Sequence, residues 1–397
     1  MSEPNQDKHA VVLSGGGANG AYEIGVLKAL VTGQCPSTNG QPLDPDVFLG
    51  TSVGAFNAAF LVSQWDQYGA SSVNNLENIW VNEFCSNFPK RSNGIFHIRG
   101  NLLPYMNPMS WFPNPFRPAY GAAKDIGSLT WDSVQRVVNL VADQDATFLE
   151  RVVNLVNFSS FISTSPLKRH VEKKIDYSGI RSSSKQLKIA ATNWAQGRAD
   201  IFENRAMTDK LGPQAILAST AIPGVFPVQK VGAEPFVDGG VLMNSPLMPA
   251  IESGANVIHV LTLNPPVNKI PLSTMSNTMT TQWRQQVIAW VKSVENDMKR
   301  ARNINMTLEL GSLAVDELSD KSKVAKSIKK FRQNKTPLTV YLYRPNDDLG
   351  GPLGLLNFDE KRVKMLIERG FQDTKNYRPE EDNFVSAKPI REPESEA

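Results

Sequence analysis

Phe48-Leu49-Gly50-Thr51-Ser52-Val53-Gly54 decides how this chain is read. A short apolar run leads into Gly-x-Ser-x-Gly, and Val53 to Val62 continues as a small-residue helix. This is the sequence form of a tight strand–turn–helix that presents a serine as a nucleophile. The turn forces the serine into a strained backbone, and its crowded flanks leave no room for side chains, which Gly50 and Gly54 satisfy. The helix beginning at Val53 points its first N–H groups toward Ser52. By composition alone such a pattern arises in roughly a tenth of chains this long, so partners are needed.

Outward from that turn, His9 to Ser14 reads as a short buried strand. Gly15-Gly16-Gly17-Ala18-Asn19-Gly20 follows at once, and Ala21 to Leu30 has helical spacing. Gly15, Gly17 and Gly20 match a dinucleotide-binding fingerprint, which also requires an acidic residue at the end of the next strand. Asp44 and Asp46 precede their apolar run instead of ending it. The other use of adjacent glycines after a strand is to present bare N–H groups to an oxyanion. Neighbouring parallel strands bring the glycine loop and Ser52 to one sheet edge, which favours the oxyanion reading.

Farther along, Ser165-Pro166-Leu167 opens a helix and Gln186 to Asn193 is a strand. Gly197 to Phe202 is a turn with a returning strand. Ala215 to Thr220 is a small-residue helix, and Pro235-Phe236-Val237-Asp238-Gly239-Gly240 ends a strand in a turn. A helix closes at Gly254, and Asn256 to Leu263 is a strongly apolar strand. Alternating strands and helices over 10–265 predict an α/β fold, a three-layer α/β/α sandwich around a mainly parallel sheet. Trp283, Val287, Trp290, Val291, Val294 and Met298 form a helical stripe, read as core packing. A strand at 337–344 and a helix at 359–368 complete the elements. No internal repeat is evident.

Composition narrows the classes. The chain has 397 residues, 41% hydrophobic and 20% charged, enough for a large core. A net charge of +3 does not argue for nucleic acid, and the lysine-rich run 321–335 reads as a solvated helix face. Two cysteines, Cys35 and Cys85, lack metal-ligand spacing. No cofactor or metal is called for. The leader 1–8 is polar and lacks a signal peptide's apolar core, and no stretch of 18 apolar residues exists. The expectation is a cytoplasmic or peripheral membrane protein, with export without a cleaved signal left open.

A serine nucleophile needs a base and an oxyanion site. None of His9, His97, His170 and His259 sits at a glycine-framed strand end, and His259 reads as a satisfied core histidine. That turns the search to carboxylates. Asp238 stands out, because Gly239 and Gly240 let its backbone approach the serine; its bland reading is a turn residue bonded to its own backbone.

Three ordered blocks together resemble the patatin-like phospholipase family: Gly15 to Gly20, Gly50 to Gly54, and Asp238-Gly239-Gly240. Ala218 to Pro227 and Val241 to Pro246 support the match. The resemblance spans about 9–265, and the strand and helix of 337–372 look like the closing elements of bacterial relatives. It implies a lipid acyl hydrolase of the phospholipase A or lysophospholipase kind, with Ser52 as nucleophile and Asp238 as its partner in a histidine-free dyad. The N–H groups of Gly15, Gly16 and Gly17 would line the oxyanion hole. The substrate is a phospholipid, lysophospholipid or other acyl ester. The family's loop usually carries Arg or Lys where this chain has Asn19. The loop thus loses a positive charge but keeps its backbone donors, which shifts preference away from anionic or phosphate-bearing groups. Rival classes are a dinucleotide-dependent oxidoreductase and a non-catalytic protein that retains the fold.

One region departs from the α/β pattern. Asn101 to Pro118 mixes prolines with large apolar side chains, so regular structure is forbidden there. Two readings stand: a loop packed under its own side chains, or a lid within an insertion of about 84–157 whose Trp111 and Phe112 contact lipid. The organisation expected is a leader 1–8, a catalytic domain 9–372 with a closing extension at about 275–372, and a disordered tail 373–397.

Overall fold

The computed structural model describes residues 7–85, 93–98, 162–271, 278–317, 322–332 and 336–387. Nine of its strands form one sheet. Strand β1 (His9–Leu13) pairs in parallel with β2 (Val47–Thr51) on one side and with β9 (Val257–Leu261) on the other. Strand β10 (Thr339–Tyr343) extends the parallel set beyond β9. Strand β5 (Gln186–Asn193) extends it beyond β2. Two strands outside this sheet, β3 (His97–Ile98) and β4 (Ile162–Ser163), pair only with each other. The fold is therefore α/β with a mixed, mainly parallel sheet.

Antiparallel strands finish it. The returning strand β6 (Arg198–Glu203) pairs with β5 along 188–193, which occupies one edge of β5. The other edge is shared. Its first half pairs with β2, Thr51 opposite Ala190, and its second half pairs with β8 (Glu234–Asp238), Asp238 opposite Ala191. Strand β7 (Gln229–Val231) closes that end. Two consecutive alanines of β5 thus bring the end of β2 and the end of β8 side by side.

Both sheet faces are covered, which is why the central strands read as continuous apolar runs. On β1, Val11 and Leu13 enter one core with α1 (Ala21–Val31) and α2 (Val53–Tyr68). Ala10 and Val12 enter the other, with Val294, Met298 and Ala301 of the 40-residue helix α8 (Thr278–Glu317). Val287, Val291, Trp283 and Trp290 of the same helix pack with Ile270, so the stripe is core packing. In sequence between them lie α3 (Ser72–Ile79), α4 (Ser165–Lys174), α5 (Tyr177–Ser182), α6 (Leu211–Ser219) and α7 (Leu247–Glu252). Helix α9 (Lys323–Arg332) follows α8, with Lys323 and Lys326 exposed.

The chain's end corrects one expectation. The tail does not begin at 373, because α10 (Glu360–Lys375) lies across α1 and Asp373 accepts the Tyr22 hydroxyl at 3.0 Å. The helices cross where both lack side chains: a Cβ on Gly25 would stand 1.9 Å from the Ile367 carbonyl oxygen, and one on Gly370 2.1 Å from that of Tyr22. Strand β11 (Phe384–Val385) then pairs antiparallel with β10, burying Val385. Polar composition hid a two-residue edge strand whose order comes from its neighbour. Trp111, Phe112 and the insertion around them lie outside the described residues, apart from the margins at 84–85 and 93–98.

Candidate active site

Ser52 sits between β2 and α2 with φ +55° and ψ −124°, a region that costs a non-glycine residue strain. The surroundings hold it there. Its N–H donates to Ser219 Oγ at 2.9 Å, and that hydroxyl donates to the Ala190 carbonyl at 2.7 Å. The flanking glycines are obligatory: a Cβ on Gly50 would lie 2.2 Å from the Gly54 oxygen, and one on Gly54 2.4 Å from that of Leu13.

Asp238 ends β8, opposite Ala191 and so one residue along β5 from Thr51's partner. Its N–H donates to the Ala221 carbonyl at 2.9 Å, and Thr192 Oγ1 donates to its own carbonyl at 3.0 Å. Ser52 and Asp238 are 5% and 6% exposed. Gly239 fits because a Cβ there would be 2.3 Å from the Ala190 oxygen. Gly240 donates its N–H to Asp238 Oδ1 at 2.7 Å. Oδ2 is buried with no hydrogen-bond partner among the described residues. Burial pushes the carboxyl up to about 7, offset in part by the Ser52 hydroxyl and the Gly240 N–H. The Ser52 hydroxyl lies near enough to lower the carboxyl's pKa, though no hydrogen bond joins it to Oδ2 among the described residues.

The glycine loop meets this pair as neighbouring parallel strands require. One expectation changes: the Gly15 N–H is committed to the Asn244 carbonyl at 3.2 Å and is not an oxyanion donor. Gly15 instead leaves room, since a Cβ there would be 2.6 Å from Asn244 Oδ1 and 3.0 Å from Ser52 Cβ. Among the described residues the Gly16 and Gly17 N–H groups have no acceptor. Gly17 takes φ +55°, and a Cβ on it would be 2.4 Å from the Leu355 oxygen. Gly20 lies against Val53 and Trp80. With the loop, the nucleophile turn and the Asp238 strand joined in one place, the family comparison becomes decisive: the patatin-like phospholipase model matches residues 11–251.

The chain belongs to the patatin-like phospholipase family.

That family is generally one of serine hydrolases acting on lipid acyl esters. A search of curated protein sequences returned no match. Among solved structures, VipD from Legionella pneumophila aligns over 94% of this chain and 66% of that chain, with TM-score 0.37 and 14% identity. This chain thus spans just under two thirds of VipD's length, and a likeness at that level carries no weight for function.

Within this patatin-like site, several residues had no role assigned from sequence. Asn244 donates to the Gly15 carbonyl at 3.3 Å, and its buried Oδ1 has no partner among the described residues. Trp290 of α8 donates to the Gly240 carbonyl at 2.5 Å. Glu23 of α1, wholly buried, accepts from the Ser14 N–H at 2.7 Å and from Asn57 at 3.0 Å. Burial holds its carboxyl well above the usual range. Asn244 and Ser219 fall within the supporting motif blocks, and Trp290 within the α8 stripe. Spacing alone cannot say whom they touch.

The dinucleotide reading is overturned. Asp44 and Asp46 precede β2, at the sheet edge opposite the glycine loop. Asp46 accepts the His9 N–H at 2.8 Å and Asp44 the Trp65 indole at 2.7 Å. The 970 Å³ cavity beside them, lined by His9, His259 and Tyr341, belongs to that far edge and not to Ser52. Among the described residues His259 is only half satisfied: Nδ1 meets the Tyr343 hydroxyl at 2.9 Å while Nε2 has no partner there, and burial lowers its pKa to about 3. No histidine contacts Ser52 or Asp238 among the described hydrogen bonds.

Proposed function

We propose that Ser52 and Asp238 form a catalytic dyad that hydrolyses the carboxylic ester of a phospholipid or lysophospholipid. The observation that supports this most is Asp238 Oδ2, buried and without a hydrogen-bond partner among the described residues, on a carboxyl that burial shifts up and the nearby Ser52 hydroxyl shifts down. A carboxylate near its ordinary 3.8 is a feeble base, and desolvation brings it to the working range.

Oδ2 takes the Ser52 proton as Oγ adds to the ester carbonyl carbon. The tetrahedral oxyanion accepts the Gly16 and Gly17 N–H groups and lies near the start of α2. Collapse expels the alcohol, which takes the proton back from Asp238, and leaves an acyl-Ser52. Water then attacks the acyl carbon and gives its proton to Asp238, and collapse releases the fatty acid as Ser52 Oγ leaves and takes that proton back from Asp238. Each step uses only groups of this chain, the ester and water.

Among the described residues no helix is long and apolar enough to cross a membrane. Under this reading, access to lipid is by peripheral contact, with Trp111 and Phe112 as the lipid-contact candidates. Product analysis on mixed phospholipids tests the reading. Wild type should release fatty acid and lysolipid or glycerophosphodiester, and Ser52→Ala should release neither. Equal release by both proteins refutes it.

A further inference from the structure

The glycine loop is held from outside the family-matched region. Arg362, on α10, donates Nη2 to Asn19 Oδ1 at 2.6 Å across 343 residues of sequence. The same nitrogen donates to the Leu349 carbonyl, and Nη1 donates to that of Asn357 at 3.2 Å. One guanidinium thus ties the loop to both ends of the segment 349–357. That segment grips the loop a second time, because the Ala18 N–H donates to the Leu355 carbonyl at 2.7 Å. Leu355's oxygen also packs where Gly17 has no side chain. Asn19 is 7% exposed, so water does not replace the arginine readily. A planar fork suits such a three-way junction, and a lysine cannot reproduce it.

We propose that Arg362 is a positioning residue for the oxyanion hole, acting through Asn19 to fix the direction of the Gly16 and Gly17 N–H groups. The loop carries no basic side chain of its own, and its cationic partner arrives from the C-terminal helix. The catalytic unit therefore includes 349–375, beyond the matched 11–251. Oxyanion donors act by being fixed in advance, so loosening them lowers the chemical step more than ground-state binding. This inference rests on the dyad reading of Ser52.

The test is a double-mutant cycle on a short soluble ester: wild type, Asn19→Ala, Arg362→Met and both together, with Arg362→Lys as the conservative variant. Fluorophosphonate labelling of Ser52 is timed in each, and melting temperatures are recorded. Arg362→Met should lower kcat and the labelling rate by ~10–100-fold with KM changed less than about threefold, in line with the cost of a misplaced reacting group. The double variant should be little worse than either single one, because both cut the same tether. Arg362→Lys should recover only part of the rate. Wild-type labelling at Ser52 with an unchanged rate in Arg362→Met overturns the inference alone. Losses that are additive, or that scale with melting temperature whatever the substitution, overturn it as well. Failure of the wild type to label at Ser52 overturns the dyad reading and this inference with it.

Discussion

In the proposed dyad Asp238 has to be ionised to accept the serine proton, and burial sets where that happens. With its pKa near 7, kcat/KM should rise with pH through about 7 and level off above it. A profile already flat at pH 5 contradicts the assignment. The same shift acts on stability. The folded pKa lies above the ordinary 3.8, so between about pH 4 and 7 the native state holds a proton that the unfolded chain has released. Stability contributed by this group is therefore full below about pH 4 and declines as pH rises to 7. Asp238→Asn removes that decline, so at pH 8 it should melt higher than wild type while its kcat falls by roughly 10²-fold or more. Melting scans at pH 5 and pH 8 on both proteins check the sign. His9, His97, His170 and His259 changed singly to Gln should each retain most activity, since none contacts the dyad among the described residues. A histidine variant as inactive as Asp238→Asn would point to a triad.

At the level of elements, the nucleophile turn and glycine loop were legible because each carries its own signal, glycine beside an apolar run. Their meeting followed from β1 and β2 being parallel neighbours. The placing of Asp238 was not legible. It depends on β8 taking over from β2 on one edge of β5, a register that no local pattern encodes. The Gly15 N–H was misassigned because its acceptor, the Asn244 carbonyl, lies 229 residues away, the same separation as the Asn244–Gly15 side-chain bond. Packing of α10 on α1 was equally hidden, since glycine in a helix normally reads as a weakness. Gly25→Ala and Gly370→Ala should instead each destabilise by about 1–3 kcal/mol, because the added methyl meets backbone that has to move. A lower melting temperature checks this, and an unchanged or raised value shows the crossing is looser than described.

For the whole molecule, the family match ends at 251 while the sheet continues through β9, β10 and β11, and α8 and α10 hydrogen-bond to the Asp238 turn and the glycine loop. The C-terminal third thus packs against the proposed site and, under the proposal, belongs to the catalytic body. The proposed lipid contact falls on Trp111 and Phe112, which lie outside the described residues. Each large side chain moved from water to lipid gains about 1.5–3 kcal/mol, so two suffice for useful adhesion. Trp111→Ala with Phe112→Ala should weaken vesicle binding and turnover on vesicles yet spare a short soluble ester. Equal loss on both substrates with a lower melting temperature would show core packing.

The most direct measurement is to map, by peptide mass spectrometry, the residue modified by an active-site fluorophosphonate, alongside ester turnover. The account predicts a single adduct on Ser52, greatly slowed in Asp238→Asn and lost with all turnover in Ser52→Ala. An adduct on another serine, or turnover in Ser52→Ala at the wild-type rate, contradicts it.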